Sequence, residues 1–195
     1  MMNDELIRQT KTLFVSAGHD HRDPGAVGNG HTEADIVLAF RDAVCDELEA
    51  KGLSFERDGE RGENLPLRRA IKMASNHDVA IEFHCNAFSN PSATGVETLS
   101  APSDMPLGEA LCEAISDTLG IANRGAKNES SGQHSRLGFV STGGGVTIEL
   151  FFITNPHDIA AYFQHKDALA QAVARVIIDH VAPPAIRWGC SHGMG

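Results

Sequence analysis

Four residues of this chain have side chains and positions suited to metal-assisted hydrolysis: His19, Glu33, His84 and Glu149. His19 follows an apolar run, Leu13-Phe14-Val15, and opens a loop dense in Gly, Asp and Pro that reaches Ala26. A histidine at a strand end and a carboxylate at a helix start can reach one point in space. Two imidazoles and a carboxylate leave a fourth position for water, which is a catalytic zinc arrangement. Glu149 lies in the otherwise apolar Val146-Thr-Ile-Glu-Leu-Phe-Phe-Ile153, where a buried charge is costly unless it has a task or a partner. Such a carboxylate could take a proton from activated water and pass it to a leaving amine.

These residues need elements to hold them. Residues 12–17 read as a strand bounded by glycine. Thr32 fits the N-cap of a helix over 33–51, with Asp35 completing a carboxylate variant of the capping box. Ile36, Val37, Phe40, Val44 and Leu48 recur at helical spacing and bury one face, and Gly52 fits the stop. Residues 53–56 read as a second strand and 57–63 as a surface loop. Asn64 fits the cap of a helix over 65–76 with Leu67, Ile71 and Ala74 inward. Val79–Asn86 reads as a central strand whose alternation sends Ile81, Phe83 and Cys85 one way and Glu82, His84 and Asn86 the other.

Further along, 95–99 reads as a strand, antiparallel at an edge, and 106–119 as a helix ending at Gly120. Residues 122–136 are polar and read as the longest loop, a natural active-site wall. Residues 146–153 form the last clear strand, and Asp158 fits the cap of a final helix to about 181. Strands alternating with helices indicate a single α/β domain over 1–182 with helices on both faces of the sheet. Residues 183–195 lack periodicity and read as a C-terminal extension.

Composition narrows the classes. The 195 residues suit one domain, and a formal charge of -10 argues against an electrostatic footprint for nucleic acid or an anionic membrane. No apolar run approaches the roughly 20 residues of a membrane span. The start, Met1-Met-Asn-Asp-Glu-Leu, has acid where a signal peptide has base, so cytoplasmic synthesis is expected. Cys45, Cys85, Cys112 and Cys190 show no paired spacing and read as free thiols.

Taken singly, each candidate has a plainer reading. His19 could be a hydrogen-bonded loop residue, or the loop could cradle a phosphate. Glu33 could simply favour a helix N-terminus. His84 could be a satisfied core histidine, and Glu149 could pair with Arg124 or Arg136. His21 and His31 could line a cleft, and His134, in the long loop, could contact substrate.

The motifs together narrow this. Gly18-His19 with Asp23-Pro-Gly-Ala26, then Glu33, then His84-Cys-Asn86, then Val146-Thr-Ile-Glu149 with Thr154-Asn-Pro-x-x-Asp158, resemble the zinc-dependent N-acetylmuramoyl-L-alanine amidases of the Amidase_3 type. The likeness runs from about Leu13 to Val181. It implies an α/β fold with a mixed, mostly parallel sheet. It also implies Zn2+ held by His19, Glu33 and His84, and a catalytic Glu149. The implied reaction hydrolyses the amide between the lactyl group of N-acetylmuramic acid and L-alanine in peptidoglycan. Two departures stand out: Ser16-Ala17 where the family often has Asp-Pro, and Glu82 where it usually has serine. Glu82 and Asn86 are therefore expected near the ligands or the substrate, with Glu82 either behind a ligand or salt-bridged away from the metal. Such a chain would act on the wall after release, as a phage or prophage endolysin or an enzyme of mother-cell lysis. A zinc peptidase or deacetylase, or a silent wall-binding module, are the other readings.

Overall fold

Alternation within three strands divides the molecule into an apolar side and a chemical side. The structure, a computed structural model, describes residues 11–131 and 136–182. In β1 (Leu13–Ala17), Leu13, Val15 and Ala17 enter the main core, while Phe14 and Ser16 face the opposite way. In β5 (Val79–Asn86), Val79, Ile81, Phe83 and Cys85 join that core, leaving Ala80, Glu82 and His84 on the other face. In β8 (Val146–Phe152), Val146, Ile148 and Leu150 join it, leaving Thr147 and Glu149. Period-two side-chain geometry thus places Ser16, Glu82, His84, Thr147 and Glu149 on one surface.

The sheet runs in the order β4-β1-β5-β8-β6-β7, with β4 at Glu56–Arg57, β6 at Val96–Ser100 and β7 at Asn123–Asn128. Strands β4, β1, β5 and β8 are mutually parallel; β6 runs antiparallel to β8, and β7 runs parallel to β6. Register aligns Ser16, Glu82 and Thr147 in one row across the sheet, and His84, Glu149 and Glu97 in the next.

Three long helices cover the apolar side: α1 (Glu33–Ala50), α3 (Met105–Leu119) and α5 (Pro156–Val181). Their buried stripes include Val37, Phe40, Val44 and Leu48 from α1, Leu111 and Ile115 from α3, and Leu169, Val173 and Ile177 from α5. Each such side chain stabilises the fold by roughly 1.5–3 kcal/mol on burial. The chemical side has much thinner cover, from α2 (Leu67–Ala74) and α4 (Gly138–Ser141), which pack Ala70, Ala74 and Phe139 on Phe14 and Ala80. A two-stranded hairpin, β2 (Val27–Gly28) with β3 (His31–Thr32), leads into α1. No helix among the described residues is long and apolar enough to cross a membrane.

Several local expectations change. One edge of the sheet is β7, within the stretch expected to be a loop, and β6, expected at an edge, lies between β7 and β8. The sequence of β7, Asn-Arg-Gly-Ala-Lys-Asn, has no apolar alternation because one side of an edge strand stays wet. Helix α2 is capped at Pro66, not Asn64, and Leu67 is exposed at its start instead of pointing inward. Helix α5 is capped by Asn155, which accepts from the N–H groups of His157 and Asp158. Asp158 is instead buried and accepts from Thr94 Oγ1, Gly95 N and Phe152 N. The strand expected over 53–56 is reduced to Glu56–Arg57. Cys45, Cys85 and Cys112 are free and buried. Residues 1–10, Cys190, the 183–195 extension and His134 lie outside the described residues.

Candidate functional site

His19 stands one residue past Gly18, whose N–H donates to Phe83 O at 2.8 Å and so ties the end of β1 to β5. Its backbone is left-handed, φ 64°, a conformation that a residue with a Cβ holds only when its surroundings fix it. Asn64 fixes it from one side, donating from Nδ2 to Ala17 O at 2.7 Å and to His19 O at 2.5 Å. Asp23 fixes the ring: its Oδ2 lies 3.0 Å from His19 Nδ1, while Oδ1 accepts from Gly25 N at 3.0 Å.

Thr32 caps α1 by accepting from Asp35 N at 3.2 Å, which places Glu33 at the positive end of the helix dipole. The Glu33 carboxylate is held at both oxygens, Oε2 accepting from Ala26 N at 2.8 Å and Oε1 from Cys85 N at 2.9 Å. His84 sits near the end of β5, just before a register shift against β8.

These three elements converge. Glu33 Oε1 is 3.1 Å from His19 Nε2 and 3.0 Å from His84 Nδ1, and one donor atom from each residue lies within 4.8 Å of the others. The two imidazoles meet edge to face with centroids 5.1 Å apart. Glycines make room for them. A Cβ on Gly18 would lie 2.2 Å from His84 Cε1, and one on Gly25 (φ 64°) would lie 2.6 Å from both Glu33 Oε2 and His19 Cδ2. Two imidazole nitrogens and a carboxylate oxygen, drawn from three elements, are a donor set that fits a divalent cation.

The electrostatics follow from this crowding. Burial works against charge on Glu33, but hydrogen bonds from His19 and His84 override it and hold the carboxyl well below the usual range. Burial also opposes charge on His84, yet Glu33 and Glu82 push its pKa well up. His19 is raised in the same way, against burial, by Glu33 and Asp23. This is a site built to hold positive charge.

Glu82 is placed by contact with a histidine ring of the site, not with an arginine or lysine. It is buried, and its Oε2 lies 3.0 Å from His84 Nε2, the ring nitrogen that does not meet Glu33. The expectation that it is salt-bridged away from the metal therefore gives way to a carboxylate held directly against His84. Both imidazoles thus have a carboxylate at their second nitrogen, Asp23 for His19 and Glu82 for His84.

Glu149 pairs with neither arginine considered for it. Arg124 goes to Glu97, its Nε 2.6 Å from Oε2, with Lys127 Nζ at 2.7 Å from the same oxygen. Glu149 Oε2 is buried with no hydrogen-bond partner among the described residues, and burial drives its carboxyl up to about 7, with the His84 charge working the other way. Glu149, His19, Glu33, His84, Glu82, Asn86 and Glu97 line one cleft of about 510 Å3, walled on its far side by Leu65, Leu67, Leu137 and Phe139. Asn86 donates to Glu97 Oε1 at 3.1 Å. His31 packs instead on Phe163, and His21 meets Arg22, so neither lines the cleft.

Sequence reasoning passed over Asp23 as a site residue, although an acid four positions after His19 and two before Gly25 is the signal of an Asx turn that can reach back to the ring. Asn64, which in sequence fits a helix cap, is likewise drawn into the site by the carbonyls of Ala17 and His19.

Residues 13–179 match the model of the Amidase_3 family, N-acetylmuramoyl-L-alanine amidase. The amidase LytC of Bacillus subtilis is 28% identical over 174 residues, 84% of this chain. The chain spans 34% of LytC's own length and less than half of the other curated relatives it matches. Among solved structures, a candidate N-acetylmuramoyl-L-alanine amidase of Neisseria meningitidis is 38% identical with a TM-score of 0.80, covering 87% of this chain and 95% of that one. AmiC2 of Nostoc punctiforme, at 24% identity and TM-score 0.74 over 87% and 96% of the two chains, shares the fold.

Proposed function

The chain belongs to the Amidase_3 family of N-acetylmuramoyl-L-alanine amidases, and from that premise we propose that it hydrolyses the amide between the lactyl group of N-acetylmuramic acid and L-alanine in peptidoglycan. The observation that carries this reading is Glu149: a half-buried side chain whose Oε2 is buried and has no hydrogen-bond partner among the described residues, in the same cleft as the His19, Glu33 and His84 donors. A carboxylate left unpaired at such a place is costly to the fold and suits a group that handles protons.

His19, Glu33 and His84 would hold Zn2+, the ion suited to two imidazoles and a carboxylate in a hydrolysis without redox chemistry. When bound there it supplies Lewis acidity, polarising the scissile carbonyl and easing ionisation of water. The protein's residues do the rest. Glu149 accepts the proton of the attacking water as the new C–O bond forms. As the C–N bond breaks, the same carboxyl gives that proton to the nitrogen of the departing L-alanine. Asp23 and Glu82 each accept from the outer N–H of a ligating imidazole, which selects the tautomer whose free lone pair faces the metal. Asn86, which donates to Glu97 in the cleft, and His134 are the residues we propose for substrate contact.

The chemistry is the same whether the chain serves a phage or prophage endolysin or a wall enzyme of the cell itself. Mass analysis of purified peptidoglycan after digestion tests the reading. Free stem peptides with intact glycan strands are expected; cleavage inside the peptide or the glycan would refute it.

A further inference from the structure

Six carboxylates line the cleft, those of Asp20, Asp23, Glu33, Glu82, Glu97 and Glu149, and no lysine or arginine does. Among the described residues, the only lysine or arginine side chains that pair with any of them are Arg124 and Lys127, both on Glu97 Oε2. One cation is enough to balance one buried carboxylate. Two leave an excess of positive charge on this flank of the cleft.

Strand β7 is shaped to bring both of them there. Arg124 and Lys127 are three residues apart, so the strict alternation of a strand would send them to opposite faces. The pairing of β7 with β6 shifts register between the Val96–Asn123 pair and the Thr98–Ala126 pair. The shift spans Gly125, φ 79°, whose N–H donates to Asn123 Oδ1 at 2.8 Å. A bulge of this kind re-aims side chains. Here it puts both head groups against one oxygen, at 2.6 Å from Arg124 Nε and 2.7 Å from Lys127 Nζ.

Glu97 holds these groups without using them up. Arg124 reaches it through Nε, and its guanidinium lies over the Phe152 ring, 5.0 Å from the centroid, which fixes its plane. Its Nη1 and Nη2 have no partner among the described residues, and Lys127 Nζ donates to Glu97 alone. The Arg124 and Lys127 side chains are 38% and 29% exposed, against 7% for Glu97. A fixed guanidinium with a free fork, beside an ammonium, fits a second carboxylate.

Register relates this fork to the reaction. Glu97 is the partner of Glu149 on the neighbouring strand. With strands about 4.8 Å apart, groups held on Glu97 lie on the order of 5–10 Å from the carboxyl proposed to serve the leaving nitrogen. An acidic residue joined directly to L-alanine carries its α-carboxylate about 7 Å from that nitrogen, two residues of extended chain.

We propose that Arg124 and Lys127, anchored on Glu97, form a subsite for the α-carboxylate of an acidic residue that follows L-alanine in the leaving peptide. The inference rests on the amidase reading above and adds a preference to it: a stem peptide with that carboxylate free is favoured over one with it amidated.

The test uses two disaccharide-peptides as substrates of the zinc-loaded protein. They are identical except that the residue after L-alanine carries a free α-carboxylate or an α-carboxamide. Hydrogen bonds to a charged group of this kind are worth about 10–100-fold, so wild type should release the acidic peptide with a kcat/KM higher by that factor. In Arg124→Gln and in Lys127→Met the acid-to-amide ratio should fall toward one. A purely structural role would slow both substrates equally and keep the ratio. Equal rates in wild type, a preference for the amide, or a ratio unchanged in the variants would overturn the proposal. The wild-type comparison decides even where a variant fails to fold. Wild type that cleaves neither substrate would bring down the amidase reading itself, a result distinct from cleavage without preference.

Discussion

His84 and Glu149 are register partners across β5 and β8, on the same face of the sheet, and they differ in what meets them. His84 is gripped at both ring nitrogens by carboxylates, whereas Glu149 keeps a buried oxygen with no partner among the described residues. One is immobilised and the other is left available, which suits the roles of ligand and proton carrier proposed for them.

Glu149→Gln keeps the shape of the side chain and removes its capacity to take a proton. Amide hydrolysis should fall by roughly 10^2–10^4-fold, with metal content per chain unchanged. Full activity in a metal-loaded Glu149→Gln protein would exclude the proton-carrier role.

Removing the metal should abolish activity and lower the melting temperature, and adding zinc should restore both. A ligand that binds only the folded chain stabilises it by about 2.7 kcal/mol at a hundred times its dissociation constant. Calorimetry with and without chelator measures the difference; identical melting curves and activity under strong chelation would contradict the site.

Gly18→Ala tests the packing that lets His84 approach. The added Cβ would lie 2.2 Å from His84 Cε1, so the ring has to move. Overpacking of this kind costs about 1–3 kcal/mol, and metal content should drop well below that of wild type. Elemental analysis beside a denaturation curve separates the two effects; normal occupancy would show that the loop yields instead of the ring.

Glu97 gives a dependence on pH. Burial opposes its charge, but Arg124 and Lys127 hold the carboxyl below its ordinary value of 4.5. A depressed acid contributes stability that is present above that ordinary value and is lost as pH falls through the folded one. Glu97→Gln carries no such term, so the gap between wild type and variant in unfolding free energy should close on acidification. Urea denaturation at several pH values would reveal it, and a gap that stays constant or widens toward acid would reverse the sign.

Much of this architecture is legible in the chain because its strands are apolar runs with polar residues at alternate positions. In β5 the alternation alone puts Glu82, His84 and Asn86 on the face opposite the core, and Thr32 announces the helix that brings Glu33. Other features depend on partners far along the chain. Asn64 looks like a helix cap until the carbonyls of Ala17 and His19 are found within its reach. Asp158 looks like a cap as well, but the N–H groups of Gly95 and Phe152 claim it. Strand β7 is hidden because an edge strand with one wet face needs no apolar pattern. Glu82 could be assigned a face from sequence, yet its contact with His84 Nε2 depends on a rotamer.

The unequal cover of the two sheet faces has a dynamic consequence. Three long helices seal the apolar side, while an eight-residue helix and a four-residue one form the wall of the cleft over a small cluster around Phe14 and Phe139. Regions with few buried apolar contacts open locally at low free energy, whereas central strands exchange their amide hydrogens only on global unfolding. Residues 67–74 and 138–141 should therefore exchange with deuterium well before β1, β5 and β8. The ligand-bearing floor would stay rigid while the wall breathes, letting a bulky polymer strand settle into the cleft without disturbing the geometry beneath it.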